Sequence, residues 1–222
     1  MPGPPLQGGT CPFATTGCGG CFELKPKRST QTCYVMGLIK VYKNVRGVLE
    51  YNTKLLSQPN IEHVEQELNC EFYRFQVSVD QYNKKAARVG IPTIPAIYRL
   101  HWSGDLFSAD YTEAIAKAVG KYPGITFWNY TRSFEHAHRL RNIPNLIQFL
   151  SFDDCNLNQF EDYELPGFRF CYMGKAWPNH LKHYAYFKCP VDSGVLPLEG
   201  GCAKCGYCLH NHEKNKIVWF ES

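Results

Sequence analysis

Four short apolar segments recur through the middle of the chain, at residues 96–102, 125–131, 146–152 and 168–172. Their starts lie about 20–30 residues apart, and helix-like segments fill the intervals. No other feature restricts the fold as much. Strands that return at this distance cannot pair as hairpins; they pair in parallel through crossovers. The expected fold class is therefore α/β, either a parallel sheet with helical crossovers (doubly wound) or an incomplete β/α barrel.

The helical segments carry their own signals. From Asn60 to Val89 apolar residues fall at Ile61, Val64, Leu68, Phe72, Phe75, Val79, Tyr82 and Ala86. Steps of three and four make one helical stripe. Asn60 can cap its start, and Gly90 with Pro92 behind it can end it. One long helix fits, as do two with a break near Asn69. A helix over 109–119 follows Ser108, and a shorter one follows Ser133. The 222 residues are read as a single α/β domain, 1–222. Residues 60–175 form its βα core, and cysteine-rich segments at 11–33 and 189–212 flank it.

The strand ends are polar. On the first strand Arg99, His101 and Ser103 alternate, so they are expected on one face, with Tyr98, Leu100 and Trp102 opposite under helices. The second strand ends Asn129-Tyr130-Thr131-Arg132 and the third Ser151-Phe152-Asp153-Asp154. Parallel α/β folds bind ligands at the carboxyl ends of their strands. Arg99, His101, Ser103 and Asp105 are thus the candidate catalytic residues, and Gly104, Thr131, Arg132 and Asp153 the candidate cofactor contacts. Arg99 would hold an anionic group, His101 would donate or accept a proton, and Asp105 would bind an amine or hydroxyl. The plainer reading is that these residues begin loops and cap the next helix.

Eleven cysteines are the compositional outlier. Cys11, Cys18, Cys21 and Cys33 form one group; Cys189, Cys202, Cys205 and Cys208 form another. Cys70, Cys155 and Cys171 lie between them and are expected to be buried small hydrophobes. Clustered cysteines behind an N-terminus without a basic or apolar leader point to a cytoplasmic protein and to metal rather than disulfides. The run Cys202-x2-Cys205-x2-Cys208 with a remote Cys189-Pro190 suits a [4Fe–4S] cluster, because each thiolate can take a different iron. Zinc is the alternative, drawing on two of these cysteines with His210 or His212. The N-terminal group could hold a second cluster or zinc.

Several strings taken together are familiar. They are Cys11-Pro12, Cys33-Tyr34, Arg99-Leu-His101-Trp-Ser103-Gly104-Asp105, Phe107-Ser108-x2-Tyr111, Tyr130-Thr131-Arg132-Ser133, and Cys189-Pro190 with the C-terminal cysteine run. The set resembles the phage "gene product 88" family over nearly the whole chain. That family's cysteine layout and βα pattern look similar to radical-SAM proteins. The resemblance implies an iron–sulfur centre in a partial barrel, S-adenosylmethionine as a possible cofactor, and the cytoplasm of a phage host. Gly104-Asp105 would then stand where the cofactor's amino group is held. The usual C-x3-C-x2-C loop is absent.

Composition narrows the function classes. With 44% hydrophobic and 20% charged residues the chain is globular. A net charge of +4 does not by itself imply nucleic acid, and no apolar run is long enough for a membrane span. The main expectation is an iron–sulfur enzyme with an unidentified small-molecule substrate. The alternative is a metal-stabilised, non-catalytic protein that binds nucleic acid or a host protein, motivated by basic stretches at 25–28 and 139–141 beside aromatic residues. His136 with His138 and His210 with His212 are read as solvent-facing.

Overall fold

The structure is a computed structural model that describes Cys11, Val35, Leu38 and residues 41–221, apart from 165, 198–199 and 210–215. Cys18, Cys21, Cys33, His210, His212 and the basic stretch at 25–28 lie outside the described residues.

Helix α1 spans Lys43–Leu56 and α2 spans Ile61–Val89. The long stripe is one helix without a break. The Asn60 side chain accepts from His63 N–H at its start, and Gly90, with φ of 71°, ends it in a left-handed turn. Then come β1 (Ile97–Arg99), α3 (Ala109–Gly120), β2 (Thr126–Thr131), α4 (Phe134–Arg139), β3 (Leu146–Phe152) and β4 (Arg169–Met173). Ser108 caps α3 by accepting from Tyr111 N–H. Ser133 stands at the start of α4, but its side chain makes no capping bond.

The sheet has two more strands than the sequence suggests, β5 (Ala185–Lys188) and β6 (Lys216–Phe220), with a short helix α5 (Gly201–Cys205) between them. All neighbours pair in parallel, in the order β1-β2-β3-β4-β6-β5. The C-terminal cysteine segment therefore does not flank the fold. It is the crossover from β5 to β6, and the sheet continues past the expected core boundary at 175.

The two faces of the sheet are covered differently. On one face Phe127, Leu150, Phe152, Tyr172 and Trp219 pack in a single core with Phe72 of α2, Ile115 of α3 and Phe134 of α4. Phe72 sits among the rings of Tyr98, Tyr122 and Phe127 at 4.7–5.9 Å. All three of these helices lie on this face, which sets the sheet apart from a doubly wound one. The opposite face carries Tyr130, Ile147, Phe149, Cys171, Phe187, Val218 and Phe220, packed with Cys189, Cys205, Tyr207 and Cys208 of the crossover. Alternation along each strand sorts the side chains between these two environments.

Candidate functional site

The thiol-covered face is assembled from the β5–β6 crossover. Cys189 follows β5 directly, and its N–H donates to Trp219 O of β6 at 2.9 Å. Gly201 opens α5 against Val191, where a Cβ would meet Val191 Cγ2 at 2.7 Å. Gly206, with φ of 63°, turns the chain between Cys205 and Cys208. Tyr207 then stacks on Phe187 of β5, with centroids 3.7 Å apart and planes 10° from parallel. These contacts set Cys208 beneath β2, where the Tyr130 hydroxyl donates to its Sγ at 3.2 Å. Arg169 of β4 donates to Cys208 O.

Charges at these four cysteines act on one another. Burial pushes the Cys208 thiol up to about 12; the Tyr130 hydrogen bond opposes this, and Cys189, Cys202 and Cys205 push it further up. Cys189 is raised by loss of hydration, with Cys202 among the smaller contributors. Cys202 is also raised by loss of hydration, partly offset by the Arg99 guanidinium. Cys189, Cys202 and Cys208 thus resist ionisation, and a cation bound to such thiols would expel their protons.

Cys189, Cys202, Cys205 and Cys208 are not joined in disulfides. Among the described residues, no group of three or more His, Cys, Asp or Glu side chains is gathered tightly enough to hold one metal ion. Cys189, Cys205 and Cys208 nonetheless pack on one face of the sheet, with Arg169 and the Tyr130 hydroxyl at Cys208, while Cys202 is exposed.

The strand-end residues meet at the carboxyl end of β1. Arg99, His101, Ser103, Gly104 and Asp105 all line one cavity of about 420 Å³, closed on its far side by α1. Arg99 and His101 do not share a sheet face, however. Strand β1 ends at Arg99, so the alternation stops there. The Arg99 guanidinium lies over the rings of Trp128 and Tyr130, at 5.2 and 5.4 Å, toward the thiols. His101 instead turns to α3, with Nε2 3.1 Å from the Tyr111 hydroxyl. Burial holds His101 down to about 4, with Asp105 opposing and Arg99 adding to the shift. At neutral pH it is an uncharged imidazole.

Asp105 already accepts three hydrogen bonds. Its Oδ1 accepts from Leu106 N–H and the Thr131 hydroxyl at 2.7 and 2.5 Å, and its Oδ2 accepts from Arg132 N–H at 2.8 Å. Arg132 in turn pairs with Asp153 at 2.7 Å, nearly out of solvent. Thr131, Arg132 and Asp153 thus tie the ends of β2 and β3 to the β1–α3 loop, a positioning network behind the cavity. Sequence reasoning missed α1, Tyr130 and Arg169. Tyr130 carried a signal, since alternation from Trp128 already places it opposite Thr131.

Other expectations need correction. Cys70 and Cys155 are exposed and only Cys171 is buried, because Cys70 lies off the apolar stripe of α2 and Cys155 in the turn after β3. His138 is exposed, but His136 is half-buried.

A family model described as Gene product 88 matches residues 2–211. The chain belongs to the Gene product 88 family. It is similar to the Gene 88 protein of Mycobacterium phage L5, 28% identical over 217 residues, which covers 93% of this chain and 81% of the relative. The Gene 88 protein of Mycobacterium phage D29 is likewise 28% identical, over 221 residues, 95% of this chain and 82% of that one. No solved structure matches. The family and these relatives bear out the phage resemblance; nothing in them carries the likeness to radical-SAM proteins. Among the described residues no helix is long and apolar enough to cross a membrane.

Proposed function

We propose that this Gene product 88 protein is an iron–sulfur protein in which Cys189, Cys202, Cys205 and Cys208 hold a [4Fe–4S] cluster against the sheet. One observation carries the reading: the single crossover between β5 and β6 packs Cys189, Cys205 and Cys208 on one face, with Cys202 exposed nearby and Arg169 and the Tyr130 hydroxyl at Cys208. The cluster would supply electron chemistry. Tyr130 would hold hydrogen-bond density at Cys208, and Arg99 and Arg169 would offset the negative charge of the centre.

In its enzymatic form the reading places substrate in the adjoining cavity, within reach of Arg99, His101 and Ser103. S-adenosylmethionine would be the co-substrate if the radical-SAM likeness holds, in a reducing cytoplasm that keeps the thiols free. The alternative is a metal-stabilised binding protein, with zinc in place of iron and nucleic acid or a host protein as partner.

The test is anaerobic purification with iron, sulfide and zinc assays and a visible spectrum. About four irons per chain would mean one cubane, and about eight would mean that Cys11, Cys18, Cys21 and Cys33 hold a second. Cys205→Ser should abolish the brown absorption of the C-terminal centre, whereas Cys70→Ser should keep it. Colourless, zinc-loaded protein with salt-dependent oligonucleotide affinity would replace this reading with the alternative. On brown protein, incubation with S-adenosylmethionine and dithionite reads the radical form through 5′-deoxyadenosine release.

A further inference from the structure

We propose that the cavity between α1 and the β1–α3 loop binds a small organic monocarboxylate with an apolar body. This goes beyond the iron–sulfur reading and does not depend on it, although Arg99 adjoins both places.

A cavity of about 420 Å³ lies in the range of small-molecule sites. Much of its wall is apolar, including Val48, Leu49, Tyr98, Trp102 and Phe107. That surface asks for a hydrocarbon or ring, not a sugar or a bare ion. Asn44, Asn52 and Thr53 line it from α1, whereas its charged side chains and its buried polar atoms lie on β1 and the β1–α3 loop. His101 Nδ1 and Ser103 Oγ are buried there without a hydrogen-bond partner among the described residues. Each such orphan is unfavourable unless a ligand or water supplies the missing bond.

Charge selects the ligand class. Asp105 lines the cavity, but Leu106 N–H, the Thr131 hydroxyl and Arg132 N–H already occupy its oxygens. It therefore offers little to a cationic ligand. Arg99 is different. Among the described residues its one hydrogen bond runs from Nε to His101 O at 3.0 Å, and no carboxylate pairs with it. The terminal nitrogens of its fork remain for a planar anion, the geometry a carboxylate matches. His101 is neutral, so Arg99, which also adjoins the thiols, is the one cationic side chain among the described residues lining the cavity. One such charge balances a monoanion; a phosphate dianion would need a second.

The test uses 4-phenylbutyrate and hexanoate, each against its matched alcohol, read by calorimetry and tryptophan fluorescence on the anaerobically purified full chain. Each acid should bind at least about tenfold more tightly than its alcohol. Arg99→Gln should erase that preference while leaving weak binding of both. Val48→Trp, at the exposed rim, should weaken acid and alcohol alike. If Arg99→Gln does not fold, Ser103→Ala, which should cut acid affinity severalfold, takes its place. Equal binding of acid and alcohol by the unaltered protein, or no binding of either acid at millimolar concentration, overturns the proposal. Iron content is recorded on each sample. Carboxylate binding without iron leaves this proposal standing and removes the cluster, and the reverse result separates them the other way.

Discussion

The two faces of one sheet do different work. The helix-covered face is a continuous apolar core in which Phe72, Ile115, Phe127, Leu150 and Phe152 are almost wholly removed from water. The thiol-covered face also excludes water, but with aromatic rings, cysteines and two arginines. Burial there desolvates groups that could react, whereas burial on the helix side only removes hydrocarbon from water. The strands are the same on both sides, and alternation alone assigns each residue to one role or the other.

The largest expected effect tests the helix side. Phe72→Ala should cost about 3–5 kcal/mol, since it empties a site lined by three rings. Urea unfolding measures the loss, and the metal content of the folded fraction should not change. A loss of metal from correctly folded Phe72→Ala protein would break the separation between the faces.

A smaller effect is expected from pH. The folded His101 has its pKa lowered to about 4 from the ordinary 6.5, so the unfolded chain binds the extra proton first. Its contribution is complete above pH 6.5 and is lost as pH falls through 4, by roughly 3 kcal/mol in all. His101→Gln should flatten that part of the stability–pH curve. An unchanged slope would mean that the ring is hydrated and that the cavity end is wetter than its geometry indicates.

The smallest effect should come from Tyr130→Phe. Removing one hydroxyl that donates to Cys208 should cost about 1 kcal/mol in urea. A cost of several kcal/mol would show that the thiol face bears fold stability as the helix face does.

Much of this was readable from the chain, for reasons that differ by element. Helix α2 was legible to within a residue because its apolar stripe, its Asn60 cap and its Gly90 stop all agree. Strands β2 and β3 were legible because central parallel strands read as unbroken apolar runs. Strand β5 was not: Ala185–Lys188 is short and mostly exposed at the sheet edge, so it lacks a burial pattern. Strand β6 had a signal in Ile217-Val218-Trp219-Phe220, overshadowed by the cysteines before it. Within the site, the alternation from Arg99 to His101 misled, because residues that look like one strand continue after the ladder stops. The gathering of Cys189 with the later cysteines rests on the β4-β6-β5 order, which no local pattern encodes.

That order also bears on synthesis. Among the described residues β6 is the only strand beside β5, so β5 emerges from the ribosome before its neighbour. Only when residues 216–220 slot in beside β4 can the outer edge be laid down and the crossover drawn shut. Until then the thiols lack the part of their wall that Val218 and Phe220 supply. A nascent chain halted short of this stretch would display its cysteines to any metal or oxidant nearby, and the timing of that final insertion would decide which reaches them first.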